Sequence, residues 1–130
     1  MTRHDGRIGA AVPVFRVASV ARSMAWYEDV LGFSPDPVGP PDDPSFAILR
    51  RDGVELMLQK VRTGVGGPRS ATIAGGGWDV YIRVDDVRSL YDGIRPKAPN
   101  VGPIVVQVYG CREFELADPD GHVVVLGQCG

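Results

Sequence analysis

Cysteine is scarce in this chain: Cys111 and Cys129 are the only two among 130 residues. That is too few for the disulfide framework of a small secreted domain, and neither sits in a CxxC or Cys/His spacing that would hold zinc. A reducing cytoplasm is the expected compartment. Long apolar runs are missing too, with no stretch of about 18 residues to cross a bilayer, and MTRHDGRIGAAVPVF lacks the apolar segment of a secretory leader. Neither secretion nor membrane insertion is expected. Charge of one sign is also lacking: the net charge is -2 and the pI about 5.6, with no Lys/Arg cluster to neutralise a phosphate backbone. Nucleic acid is not an expected partner.

What is present is a core. At 44% hydrophobic and 23% charged residues, a chain of this length buries roughly two thirds of its unfolded surface as one compact domain. Val12 to Val17 reads as a short strand. Ser19 then caps a helix on which Val20, Met24, Tyr27 and Leu31 recur at helical spacing until Gly32 ends it. The stretch SPDPVGPPDDPS carries five prolines between Pro35 and Pro44 and reads as a loop, with room for a further strand in or near it. FAILRRDGVELMLQK follows as two strands joined at Asp52-Gly53.

After a Gly-rich connector over 63–77 the pattern restarts. Arg16-Val17 followed by Val20 returns as Arg83-Val84 followed by Val87, with Asp85 or Asp86 capping a helix that runs towards Tyr91. The hairpin returns as well, Phe46, Ile48, Asp52, Gly53 and Leu58 matching Phe114, Leu116, Asp120, Gly121 and Leu126. Two copies of one module, about 8–62 and 76–130, make up a single domain, 1–130.

The segments VPVFRVASVARSMAWYEDVLGF and YGCREFELADPDGHVVVLGQ resemble the signatures of the glyoxalase/bleomycin resistance/extradiol dioxygenase group, the vicinal oxygen chelate proteins. WYEDVLGF and the GxREFxxxDPDGH hairpin are most similar to the bleomycin-resistance branch. The resemblance implies an α+β fold of two β-α-β-β-β modules whose curled mixed sheets enclose a concave cavity, and a homodimer sharing that cavity between chains. The DPDG turn, with an Asp-Gly counterpart in the first module, is then a feature of the fold: Pro119 fixes one backbone angle and Gly121 takes another that other residues resist.

Metal-dependent members of this group place four His, Glu or Gln ligands on the concave face around a divalent ion. By the resemblance, those positions fall on Val12, Asp79, Val125, and either Glu55 or Met57 according to register. At least two are valines. His4 stands near the chain start, and His122, beside the DPDG turn, reads as a surface residue rather than a ligand. If there is any metal site, it rests on Glu55 and Asp79. These two could also act as an acid/base pair, although neutralising Arg16 and Arg83 is the simpler role. No nucleophile elbow, P-loop or dinucleotide fingerprint occurs in a fitting context.

Strand parity puts Val12, Val14, Arg16, Asp79, Tyr81 and Arg83 towards the cavity, joined there by Met57, Gln59, Tyr109, Val125 and, just before the second-module strand, Trp78. Aromatic faces with a few polar groups suit a flat organic ligand, and two arginines suit one with a carboxylate. Trp26 is expected in the core. The expected function is metal-independent, cofactor-free binding and sequestration of a small hydrophobic or aromatic molecule, as in antibiotic resistance, by a cytoplasmic homodimer without catalysis. The alternative is a lyase, isomerase or dioxygenase with an atypical metal site, and a third reading is an interaction module whose own side chains fill the cavity.

Overall fold

Ser19, Gly32 and Asp86, the residues that mark helix boundaries in the sequence, do so in the computed structural model, which describes residues 5–61 and 77–130. The first half runs β1 (Val14–Val17), α1 (Val20–Leu31), β2 (Ser34–Val38), β3 (Phe46–Arg51) and β4 (Val54–Lys60). The second half repeats that order as β5 (Val80–Arg83), α2 (Val87–Ile94), β6 (Val105–Val106), β7 (Arg112–Ala117) and β8 (Val123–Gln128). Each half forms a four-stranded sheet, β1-β4-β3-β2 and β5-β8-β7-β6, and the two do not join into one barrel. In each sheet only the first pairing, β1 with β4 and β5 with β8, is parallel. The expected α+β architecture is therefore present. Most of the connector over 63–77 lies outside the described residues, as does His4.

Local chemistry explains the helices. The Ser19 hydroxyl accepts from the Arg22 N–H, and Gly32 closes α1 in the left-handed conformation (φ 70°) that a side chain would resist. Asp86 caps α2 by accepting from Ser89 N–H. Val20, Tyr27, Val30 and Leu31 bury one face of α1 in a core shared with Phe15, Val17, Leu56 and Leu58. Trp26 packs partly buried against this core, edge-on to Tyr27 at 4.8 Å.

The further strand for which the proline-rich stretch left room is β2: it lies at the sheet edge, where Pro35 and Pro37 can point their missing donors away from β3. One sequence reading needs correction: the hairpin match is one residue out on its first strand. Leu58 pairs with Ala47 and Leu126 with Phe114, so Ala47 and Leu49, both fully buried, correspond to Phe114 and Leu116. Pro119, an extra residue in the second turn, absorbs the shift.

His122 is not on the surface. It is 2% exposed, stacked on Phe15 at 4.5 Å, with Nδ1 2.8 Å from Asp118 Oδ2. Asp118 also accepts from the Tyr27 hydroxyl at 2.8 Å and from the N–H groups of Asp120 and His122, both at 2.9 Å. Burial, followed by the Asp118 charge, pushes the Tyr27 phenol well above its ordinary pKa. Asp120 accepts from Ala18 N–H, the Ser23 hydroxyl and Arg22. The DPDGH turn is thus a polar staple that fastens the second module to β1 and α1 of the first.

Candidate functional site

The concave faces follow from register. In the second sheet Tyr81 stands beside Val125, which in turn pairs with Glu115, and Arg83 beside Gly127, which pairs with Glu113. Side chains alternate along a strand, so Asp79, Tyr81, Arg83, Glu113, Glu115 and Val125 share the face opposite the core. In the first sheet Val14 pairs with Met57 and Arg16 with Gln59, while Glu55 lies two places further along β4. The twelve sequence-derived site residues therefore divide into two groups: Val12, Val14, Arg16, Glu55, Met57 and Gln59 on one sheet, Trp78, Asp79, Tyr81, Arg83, Tyr109 and Val125 on or beside the other.

A carboxylate that the sequence reading passed over organises the second group. Glu113, 3% exposed, accepts the Tyr81 hydroxyl on Oε2 and the Tyr109 hydroxyl on Oε1, both at 2.7 Å. Tyr81 reaches it by lying across Gly127, where even a Cβ would overlap the phenol. Burial raises both phenols, with the Glu113 hydrogen bond and charge adding to it, and Tyr109 is pushed up to about 12. Trp78 extends the aromatic wall 5.5 Å from the Tyr81 ring, its indole N–H donating to Glu115 at 3.0 Å. Arg83 lies over the Tyr81 ring at 5.9 Å. Val125, 1% exposed, floors a cavity of about 260 Å³ shared with Gly102, Val105, Gln107, Glu113 and Glu115. The alternation of Glu113 and Glu115 with Phe114 and Leu116 was the available signal.

Two cysteines are too few for a disulfide framework, yet they form one disulfide. Cys111 and Cys129, which flank the Arg112–Gln128 pair, are joined as a disulfide across the open end of β7 and β8. Tyr81 Oη is 3.5 Å from Cys129 Sγ. One cross-link needs no framework of several, only two cysteines brought opposite each other by the hairpin.

The donor set does not fit a divalent ion. The matching register of the two parallel pairings, Val14 with Met57 and Tyr81 with Val125, makes Met57 rather than Glu55 the counterpart of Val125. Three of the four family positions, Val12, Met57 and Val125, then offer no oxygen or nitrogen ligand. Nor does Glu55 neutralise Arg16: it pairs with Arg50 at 3.1 Å, while Asp79, on the other sheet, accepts from Val123 N–H at 2.7 Å. Among the described residues, no three His, Cys, Asp or Glu side chains cluster as a metal site requires.

Similarity to known proteins matches this geometry. A glyoxalase-related enzyme from Clostridium phytofermentans superposes with a TM-score of 0.78 at 16% identity over 98% of this chain and 100% of that one. The bleomycin-binding protein of bleomycin-producing Streptomyces verticillus, complexed with copper(II)-bleomycin, gives 0.71 at 22% over 96% and 98%. The bleomycin resistance determinant encoded on transposon Tn5 gives 0.72 at 22% over 94% and 98%. No curated protein matches the sequence. The family model for the Glyoxalase/Bleomycin resistance protein/Dioxygenase superfamily matches residues 7–126, almost the whole described chain, and the chain belongs to that superfamily.

Proposed function

We propose that this protein binds and sequesters a small hydrophobic or aromatic molecule on its concave face, without a protein-bound metal and without catalysis; its likeness to bleomycin-binding proteins supports a binding role. The observation that carries the reading is the wall of Trp78, Tyr81 and Tyr109 beside Val125, its two phenols fixed by the buried Glu113 and its indole by Glu115, where the family resemblance would put metal donors. Flat rings stack on such a wall, and the polar atoms of Glu115 and Arg83 orient them.

A homodimer belongs to the same proposal. Val14, Trp78, Val105, Val106 and Tyr109 leave apolar surface exposed on or beside the sheets, and a second copy would cover it. Among the described residues, no helix is long and apolar enough to cross a membrane. A cytoplasmic location is proposed on the same terms as before, and it requires that the Cys111–Cys129 bond be kept reduced in the cell. Thiol labelling in lysates quenched with acid decides that point.

The test of binding is a thermal-shift screen of aromatic antibiotics and metabolites, repeated on Tyr81→Ala and after incubation with zinc, nickel, manganese and iron(II). A ligand present at about 100 times its Kd raises stability by about 2.7 kcal/mol. The reading requires such a compound, with its effect lost in Tyr81→Ala. Metal-dependent stabilisation with turnover would replace it with the enzyme alternative.

A further inference from the structure

The two modules are joined unequally. On one side the β7–β8 turn is stapled to β1 and α1, and the space between is filled by three rings, Phe15, Tyr27 and His122. On the other side, the β3–β4 turn faces β5 and α2, and the repeat puts Ile82, Ile94 and Val54 at the places of those three rings. Each aliphatic chain is smaller than the ring it replaces, and all three line a cleft of about 580 Å³ on this side.

The polar partners are missing as well. Asp120 takes Ala18 N–H, Ser23 and Arg22 from the opposite module, whereas its counterpart Asp52 is bonded only to Arg51 of its own hairpin among the described residues. The residues standing where Ser23 and Arg22 stand are Leu90 and Ser89, neither a cation. Arg51 is spent on the Leu31 carbonyl at 2.7 Å and on Asp52. Asp86 is occupied as the α2 cap. Asp85 lines the cleft with no ion pair or side-chain hydrogen bond among the described residues.

We propose that this cleft is a second ligand site, separate from the concave face, and that it takes an aromatic amine. The ring fills the space that Tyr27 and His122 fill on the stapled side. The ammonium supplies to Asp85, beside the Arg51–Asp52 pair, the donor that Arg22 supplies to Asp120. Occupancy links the turn of the first module to the α2 side of the second.

Tryptamine titrated into the full-length protein tests this, followed calorimetrically and by the methyl NMR signals of Ile82 and Ile94, with uncharged N-acetyltryptamine and anionic indole-3-propionate as controls. Tryptamine is expected to saturate and to shift those methyls, with both controls about tenfold weaker or worse, the loss of one charge-assisted hydrogen bond. Ile94→Phe puts a ring into the cleft where the repeat has Tyr27 and is expected to abolish binding; should it fail to fold, Ile82→Phe and Asp85→Asn carry the same expectation. Tyr81→Ala alters only the concave face and is expected to leave tryptamine affinity unchanged, which separates this site from the one proposed above. No saturation at millimolar tryptamine, binding lost in Tyr81→Ala but kept in Asp85→Asn, or a change of oligomeric state in Ile94→Phe that marks a second copy as the occupant would each overturn the proposal.

Discussion

Tyr81 lies across Gly127, and its hydroxyl reaches Glu113 on the next strand only because Gly127 has no side chain. One glycine therefore decides whether the aromatic wall is anchored. Gly127→Ala forces the ring off the sheet and releases one of the two donors that hold the buried carboxylate. We expect a stability loss of about 1–3 kcal/mol, the usual cost of an overpacked site, and at least as large a relative loss of concave-face ligand affinity. Urea unfolding and ligand titration check both, and a Gly127→Ala protein with unchanged binding would show that Tyr81 does not position the ligand.

The second phenol on Glu113 gives a pH prediction. Tyr109 is pushed up to about 12, chiefly because partial burial and then the neighbouring carboxylate disfavour its charged form. Its folded pKa thus exceeds the ordinary value of about 10. For such a group the stabilisation is complete below the unfolded pKa and is lost as pH rises from about 10 through about 12. Ultraviolet titration should find Tyr109 ionising late. In Glu113→Gln it should ionise closer to pH 10, and Tyr109→Phe should remove one late-ionising phenol while those of Tyr27 and Tyr81, also raised by burial, remain.

The staple between the modules is tested at Tyr27. Its hydroxyl is one of the donors that satisfy Asp118, a carboxylate shut away from water with His122. Tyr27→Phe keeps the ring and deletes the donor, so a loss of about 1.5–3 kcal/mol is expected from a buried hydrogen bond to a charged group. A double-mutant cycle with Asp118→Asn should return a coupling of at least about 1 kcal/mol. Additive losses would mean that the two residues stabilise the chain independently.

The sequence displayed its elements more clearly than its contacts, for a physical reason. Ser19, Gly32 and Asp86 act on the backbone within three or four residues, so caps and helix ends were legible, and strand parity put Tyr81, Arg83 and Val125 on one face. The role of His122 was not legible, because Phe15, on which its ring stacks, is about a hundred residues away in sequence. The Cys111–Cys129 bond depended on the register of β7 and β8, which the composition does not specify. The repeat did carry an unread signal: Phe15, Tyr27 and His122 on one side against Ile82, Ile94 and Val54 at the equivalent places on the other foretell a filled side and an open one.

Val125 offers the strictest test of the concave face. It is 1% exposed, beside Tyr81 and paired with Glu115, and the family resemblance puts a metal-ligand position there. In Val125→Glu the new carboxylate enters an apolar floor already bordered by Glu113 and Glu115, while Arg83 on the same face lies over the Tyr81 ring. Burying an unpaired charge there should cost about 3 kcal/mol or more at neutral pH. Burial and like charge both raise the new group's folded pKa above its unfolded value of about 4.3. Folding then takes up a proton between those two values, so the deficit against the parent should shrink as pH falls. Added zinc should leave the variant's Tm unchanged, since Val12 and Met57 still contribute no donor and Asp79 alone cannot complete a site. A zinc-dependent rise in the Tm of Val125→Glu would mean that the other side chains on this face can converge on a metal, and the binding-only reading would give way to the enzyme alternative.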